Sequence, residues 1–225
     1  ALMFVYYLIT RWKELGKING KEYIVKTIVT TETIKTIAER NGVEMYDVYT
    51  GFKWIANVMR ENEGKKNYIG GGEESYGFLC EDFVRDKDAV SACVILAEIA
   101  AWAKDQGLSL YQLLQKIYVE YGFSKEKGIS VVKKGKSGAE EIEAMMKKFR
   151  ENPLTEIAGS KVTYFYDYST LKGKDYAENE TVTLDMPTTS NVLQYFTEDN
   201  TKVSIRPSGT EPKIKFYCEV HSKVK

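Results

Sequence analysis

The fold is decided by residues 23–42, whose sequence is YIVKTIVTTETIKTIAERNG. The first eight of these residues are rich in β-branched side chains, which favours a strand. Thr31 then offers a helix N-cap, and apolar residues recur at helical spacing until Asn41-Gly42, a pair that commonly ends helices. We therefore predict a strand followed by a helix, the repeating unit of a layered α/β sheet.

The same alternation continues on both sides of this stretch. The predicted elements are a buried first helix over 2–9, a second strand over 43–49, a second helix with Phe52, Ile55, Ala56 and Met59 on one face, a short strand at 68–69, a central core helix over 89–103 and a last helix from Ser109 to Gly122. Strands that alternate with helices of this length predict an α/β layered domain, with an α/β/α sheet, over residues 1–123.

The composition changes after this domain. Residues 124–136 are rich in Lys and Gly without a sustained apolar face, so we place a boundary region there. Ser137 and Glu140 have the spacing of a capping box before an amphipathic helix. The segments that follow are strand-like: 161–168, 180–186, 192–196, 202–205 and 213–220. We predict a smaller α+β domain with an antiparallel sheet over residues 124–225.

Composition also excludes several classes of function. Lys plus Arg and Asp plus Glu number 32 each, so no overall positive field would hold nucleic acid or an anionic membrane. The single His221 makes a serine triad, a Cys/His protease or a histidine zinc site a poor expectation. Three cysteines without CxxC spacing suit reduced thiols. We predict a cytoplasmic protein with neither nucleic acid nor membrane as a partner.

A glycine-rich segment is the first candidate site. Residues 70–77 are GGGEESYG and follow a predicted strand. Glycine allows the backbone to approach a ligand closely, and adjacent carboxylates with a hydroxyl suit the vicinal hydroxyls of a sugar. Taken alone, so short a segment is more often a simple glycine turn with solvated acids, and the sugar-binding interpretation stays open beside it.

The second candidate site lies between two predicted strands. Residues 206–212 are RPSGTEP, which bring a guanidinium group, two hydroxyls and backbone N–H groups together. We expect Pro207 to hold Arg206 extended and Gly209 to adopt a positive φ. The segment is either a plain turn or a phosphate site, and the arginine favours phosphate.

Together the two segments resemble the α-D-phosphohexomutase superfamily, the phosphoglucomutases and phosphomannomutases. Residues 72–77 are similar to the sugar-binding loop of the family's third domain, and residues 206–212 to the phosphate-binding loop of its fourth. Thr50-Gly51-Phe52-Lys53 resembles a short substrate loop of domain three, and residues 85–88 resemble the segment that brings a lysine to the substrate. The resemblance extends through nearly the whole chain. Gly77, where some phosphomannomutases have histidine, resembles the phosphoglucomutase-like branch.

The resemblance implies a role for each matching residue. The implied sugar-binding residues are Glu73, Ser75, Thr50, Gly51 and Lys87. The implied phosphate-binding residues are Arg206, Ser208, Gly209, Thr210 and, as an assisting cation, Lys215.

The reaction implied is the interconversion of hexose 1-phosphate and hexose 6-phosphate through a phosphoserine and a hexose 1,6-bisphosphate intermediate, with Mg²⁺. Neither the family's phosphoserine motif nor its DGDGDR-type metal loop occurs in this sequence. We therefore expect no catalytic residue and no metal ligand in this chain, whose partners would be hexose phosphates and the missing N-terminal domains of the same enzyme. Alone it should be inactive, and its fourth domain is expected to be truncated. The alternatives are a phosphopentomutase, a hexose-bisphosphate synthase or a non-catalytic sugar-phosphate binding module.

Overall fold

The computed structural model describes residues 1–222 and residue 224. The chain divides into two compact units, Ala1–Phe123 and Ser124–Ser222. Each unit has its own hydrophobic core, so the two are described in turn.

The first unit is a four-stranded sheet with helices on both faces. Its helices are α1 (Leu2–Glu14), α2 (Thr33–Arg40), α3 (Phe52–Asn62), α4 (Ala89–Asp105) and α5 (Leu110–Tyr121). Its strands are β1 (Glu22–Thr27), β2 (Glu44–Val48), β3 (Asn67–Gly72) and β4 (Phe78–Cys80). The strand order is β2-β1-β3-β4. Strand β1 pairs in parallel with β2 and with β3, whereas β4 runs antiparallel to β3.

The two faces of the sheet contribute to separate cores. Ile24 of β1 packs in a cluster with residues of α1, α2, α4 and α5. Its neighbours Tyr23 and Val25 point to the other face and pack against α3. Because successive side chains of a strand alternate in direction, a strand covered on both faces is buried along its whole length, as β1 is. The predicted α/β/α layering is confirmed.

Two of the predicted helices differ in detail from the sequence-based expectation. Helix α2 begins at Thr33 with Glu32 at its N-cap, and no side chain caps it, although Thr31 Oγ1 accepts a hydrogen bond from the Thr33 N–H at 3.3 Å. Helix α4 is not buried on all sides as predicted: Ile99 and Ala103 lie in the core, whereas Val90 is 73% exposed and Val94 60% exposed. In contrast, the predicted Ser109 cap of α5 is confirmed as a capping box with Gln112.

The second unit is a long sheet packed against one helix, α6 (Gly135–Glu151). Its strands are β5 (Phe123–Val132), β6 (Glu156–Ile157), β7 (Ser160–Asp167), β8 (Lys172–Asp175), β9 (Glu180–Thr183), β10 (Leu193–Thr197), β11 (Lys202–Pro207) and β12 (Lys213–Ser222). The order is β5-β12-β11-β10-β7-β8-β9, and β6 pairs with β7. The pairs from β12 to β9 are antiparallel, which confirms the predicted antiparallel sheet.

The structure corrects two expectations for this unit. Most of the Lys- and Gly-rich boundary region forms β5, an edge strand whose residues are mostly exposed, so its lack of an apolar face reflects its place in the sheet. The capping box of Ser137 and Glu140 is wrong. Helix α6 begins two residues before Ser137, with Lys134 at the N-cap and no side-chain cap.

Candidate functional site

The first group of candidate residues lies where two parallel strands end. Thr50 and Gly51 follow β2, and Glu73 follows β3; both strands flank β1. Ligands of α/β sheets commonly bind at the carboxyl ends of the strands, where the loops are free to vary. The topology therefore brings together two segments that are more than 20 residues apart in the sequence.

Glu73 connects these two segments directly. Its Oε1 accepts a hydrogen bond from the Gly51 N–H at 2.8 Å. Its own backbone N–H donates to the Gly77 carbonyl at 2.8 Å, which closes the loop over residues 73–77. Gly51 has a φ of 112°, which a residue with a side chain rarely adopts, so the donor is held in place by a backbone shape that glycine permits. The carboxylate is thus fixed at one oxygen and retains lone pairs for a further donor.

The three glycines before Glu73 have a different role from the one predicted. Gly70, Gly71 and Gly72 belong to β3 itself and pair with β4. A side chain at Gly71 would overlap the Val25 carbonyl oxygen, and a Cβ at Gly70 would come within 3.0 Å of Leu8. Close packing of the protein against itself accounts for these glycines, rather than the approach of a ligand.

Gly77 is the glycine that bears on Glu73. A Cβ built there would lie 2.6 Å from Glu73 Oε2, closer than two atoms can approach without moving. Between the two residues, Tyr76 is fully exposed and has a φ of 22°. Positive φ in a residue other than glycine is uncommon and tends to occur at binding loops.

Two of the other proposed sugar-binding residues, Ser75 and Lys87, are exposed, whereas Glu73 is half-buried. Ser75 is exposed, and its hydroxyl donates to Glu74 at 3.2 Å. The Lys87 ammonium lies 3.2 Å from Asp86 and 5.9 Å from the centre of the Phe52 ring, the residue that follows Gly51. Thr50 is half-buried. The structure therefore joins Glu73 to Gly51 and places Lys87 beside Phe52.

A buried lysine lies behind this group, and sequence reasoning did not identify it. Lys26 of β1 is 1% exposed and pairs in the sheet with both Asp47 and Gly72. Its ammonium lies 2.7 Å from Asp47 and 3.0 Å from Glu32. Burial alone would lower the pKa of Lys26, but the two carboxylates outweigh it and raise the pKa above its usual value. The signal in the sequence is the one charged residue, Lys26, within the β-branched run over residues 23–30.

The second group lies in the other unit, at the β11–β12 connection. Arg206 and Lys215 are direct partners in the antiparallel register. Like charges directly opposite each other repel, and an anion bound between them would remove that repulsion. Neither cation forms a close ion pair among residues 1–222 and 224, although the charge of Lys215 helps to lower the pKa of Glu211. The Lys215 ammonium lies 5.8 Å from the Tyr217 ring. This is the concentration of positive charge that a phosphate requires.

The turn itself is built differently from the prediction. Gly209 is not among the glycines with positive φ, and a Cβ there would have open space around it. The Ser208 N–H donates to the Lys213 carbonyl at 2.7 Å, and the Thr210 N–H lies 3.4 Å from Ser208 Oγ. A hydrogen bond from the Lys213 ammonium and its charge lower the pKa of Glu211.

Neither a metal cluster nor a membrane-spanning helix occurs among the described residues. Among residues 1–222 and 224, no group of three or more His, Cys, Asp or Glu side chains could hold a metal ion. None of the helices in that part of the chain is both long enough and apolar enough to span a bilayer.

Comparison with known proteins places the chain in a family. Residues 3–121 match the model described as "Phosphoglucomutase/phosphomannomutase, alpha/beta/alpha domain III". Residues 130–225 match the model of the C-terminal domain of the same family. The chain belongs to the phosphoglucomutase/phosphomannomutase family. The resemblance identified from the sequence is therefore confirmed, and the two units correspond to that family's domain III and C-terminal domain.

Relatives within the family are considerably longer. A phosphoglucomutase of Staphylococcus haemolyticus is 35% identical over 221 residues, which is 98% of this chain and 39% of the relative. One from Staphylococcus aureus strain MRSA252 is 40% identical over 197 residues, 88% of this chain and 35% of the relative. The chain thus spans less than two fifths of the length of these curated relatives.

Solved structures share the fold at low sequence identity. Parafusin from Paramecium, described as a phosphoglucomutase in its open form, matches 97% of this chain and 36% of its own with a TM-score of 0.63 and 17% identity. A phosphoglucomutase/phosphomannomutase family protein from Burkholderia thailandensis matches 97% of this chain and 37% of its own with a TM-score of 0.56 and 17% identity.

Proposed function

We propose that this chain is the substrate-binding and phosphate-binding part of a phosphohexomutase that interconverts hexose 1-phosphate and hexose 6-phosphate. The observation that carries the proposal is the position of Glu73, whose carboxylate is fixed by the Gly51 N–H where two parallel strands end. The curated relatives are named phosphoglucomutases, which supports a hexose phosphate as the ligand.

The proposed roles follow from the chemistry of each group. Glu73 accepts hydrogen bonds from sugar hydroxyls, and Ser75 donates or accepts one more. Thr50 and Gly51 line the same edge, and Lys87 adds positive charge beside it. In the other unit Arg206 and Lys215 neutralise a phosphate group that Ser208, Gly209 and Thr210 contact through hydroxyls and backbone N–H groups.

The transfer step itself would use groups outside this chain. We propose a phosphoserine donor, a hexose 1,6-bisphosphate intermediate and Mg²⁺, the last supplying charge neutralisation at the transferred phosphoryl group. In this proposal the present chain contributes binding and orientation of the substrate. We further propose a cytoplasmic location, which the free cysteines Cys80, Cys93 and Cys218 support.

Replacing Glu73 with Gln tests the sugar contact. Gln keeps the size but loses the charge and one acceptor, so about 1–3 kcal/mol of binding free energy should be lost for glucose 6-phosphate. Inorganic phosphate should bind with unchanged affinity, because it has no sugar hydroxyls. The glucose 6-phosphate titration can be followed by NMR through the amide resonances of Gly51 and Gly77, which adjoin Glu73, and the phosphate titration through those of Gly209 and Thr210. An E73Q variant with normal affinity for glucose 6-phosphate would show that residues 73–77 form only a structural turn.

Replacing Arg206 with Ala tests the phosphate contact. A charge-assisted bidentate contact contributes about 1.5–3 kcal/mol, so phosphate should bind at least tenfold more weakly when followed at the Gly209 and Thr210 amides. The matched control is Arg150→Ala, which removes an equal charge from α6, where Arg150 pairs with Asp167. Equal phosphate affinity in wild type and R206A would show that residues 206–210 do not form the phosphate site.

A further inference from the structure

The structure contains a positively charged cleft to which no function has been assigned above, although Lys87, one of its lining residues, has a proposed role. The cleft has a volume of about 760 Å³ and lies in the first unit, between α3 and the segment that follows β4. The charged residues that line it are Lys53, Arg60, Glu63, Arg85, Asp86 and Lys87. Four cations against two carboxylates make this cleft positive in a chain whose formal net charge is zero.

The two carboxylates already have partners. Arg85 Nη2 lies 3.1 Å from Glu63 Oε1, and this pair links the loop to the end of α3. Asp86 lies 3.2 Å from the Lys87 ammonium and also accepts the Lys87 backbone N–H at 2.8 Å. Each carboxylate is thus committed to one of the two cations of the loop.

The two cations of α3 have no such partner. The Lys53 ammonium lies 4.9 Å from the Trp54 ring, and Arg60 donates to the Asn57 side chain at 2.8 Å. Neither forms an ion pair among residues 1–222 and 224. Lys53 and Arg60 are seven residues apart in a helix, so they lie two turns apart on one face and line the same wall of the cleft.

The cleft adjoins the candidate sugar-binding segment. Phe52 lines it, and the preceding residue, Gly51, donates the hydrogen bond that fixes Glu73. On the opposite side, the Lys87 ammonium lies 5.9 Å from the Phe52 ring. A ligand seated in the cleft would therefore have the Phe52 ring and the segment around Gly51 beside it, as well as positive charge.

We propose that this cleft is a binding site for a phosphate group, with Lys53 and Arg60 as the cations that bind it. A phosphate dianion is stabilised by two or more cationic donors, and arginine can contact two of its oxygens at once. The volume lies within the range of small-molecule sites, so the group can belong to a larger molecule. That this molecule is a phosphorylated sugar rests on the proposed function; the phosphate site itself does not.

The first test uses inorganic phosphate and the amide resonances of Ala56 and Lys87, which report on the cleft. Lys53→Gln with Arg60→Gln removes both charges and keeps long polar side chains at exposed positions. Lys104→Gln with Lys116→Gln is the matched control, because these exposed lysines of α4 and α5 change the net charge equally. We expect the affinity to fall at least tenfold in the first double variant and less than twofold in the second. Equal effects in the two, or none, would overturn the proposal.

The second test separates this site from the proposed sugar contact. Glucose 6-phosphate and inorganic phosphate are titrated into E73Q and into the K53Q/R60Q variant. If one ligand occupies both places, E73Q weakens only glucose 6-phosphate, whereas K53Q/R60Q weakens both. An E73Q variant without effect would contradict the sugar assignment and leave the cleft standing. A K53Q/R60Q variant without effect would contradict the cleft and leave the sugar assignment standing.

Discussion

The absence of a Cβ at Gly77 leaves the space that the Glu73 carboxylate occupies. A Cβ at this position would lie 2.6 Å from Glu73 Oε2. All other atoms would lie at least 3.4 Å away, which is an ordinary contact distance. The residue does not have a positive φ, so alanine imposes no backbone strain there. We therefore predict that a side chain at residue 77 displaces the Glu73 carboxylate and has little effect on the stability of the fold.

Gly77→Ala should weaken glucose 6-phosphate binding at least fivefold because it displaces this carboxylate. The free energy of unfolding should stay within about 1 kcal/mol of the wild-type value, since the overlapping atom is the free end of a flexible side chain. Titration and urea unfolding measure the two effects. Gly128→Ala is the control, because a Cβ there meets nothing within 4 Å and Gly128 also lacks a positive φ. If G77A binds as tightly as G128A, the carboxylate has no fixed position to lose.

At the scale of elements, the β10–β11 turn depends on an ionised carboxylate. The hydroxyl of Thr197 and the Thr201 N–H both donate to Asp199, and together they lower the pKa of Asp199 to about 2. A carboxyl group with a folded-state pKa below its unfolded value of about 3.9 stabilises the fold above pH 4. That contribution is lost as the pH falls from about 4 to about 2.

Asp199→Asn should therefore flatten the decline in stability over that pH range. The free energy of unfolding, measured in urea at several pH values, should fall less steeply from pH 4 to pH 2 in the variant than in wild type. Glu198→Gln removes the same charge from the neighbouring exposed residue, and we expect it to keep the wild-type slope. Parallel slopes for D199N and wild type would show that the turn does not depend on this charge.

Helix α4 combines an apolar sequence with an exposed surface. Val90 is 73% exposed and Val94 60% exposed, whereas Ile99 is fully buried. Replacing both valines with serine should change the free energy of unfolding by less than about 1 kcal/mol. Ile99→Ala should cost about 2–5 kcal/mol because it leaves a cavity in the core. Urea unfolding compares the variants, and a loss of several kcal/mol in the valine double variant would mean that α4 packs through both faces.

The limits of sequence reasoning are visible in these same elements. The alternation of strands and helices was sufficient to predict the α/β/α layers of the first unit, because the spacing of apolar residues follows directly from burial. It could not show that α4 is largely exposed, since hydrophobicity gives no information about what covers a helix. The role of Gly71 was missed because it depends on the Val25 carbonyl, almost 50 residues away in the sequence. The contact of Glu73 with Gly51 likewise requires the parallel strand order.

For the whole molecule, charge matters by its placement rather than by its sum. The formal net charge is zero, yet the Arg206–Lys215 pair and the cleft beside α3 each concentrate positive charge. Both lie at the surface, where dissolved salt screens charges over about 8–10 Å. Anion binding at either place therefore depends on ionic strength, although the overall charge gives no indication of it.

The strand order of the second unit has a consequence for the synthesis of the chain. Strand β5, the first of that unit, pairs with β12, which lies about 80 residues further along. In the first unit the most widely separated paired strands, β1 and β3, lie only about 45 residues apart. On a ribosome, which releases the chain from its amino end, the first sheet can close while the second still has an unpaired edge at β5. Until β12 emerges, that long exposed strand is open to pairing with another chain, and its Lys-rich sequence is the kind that discourages such pairing.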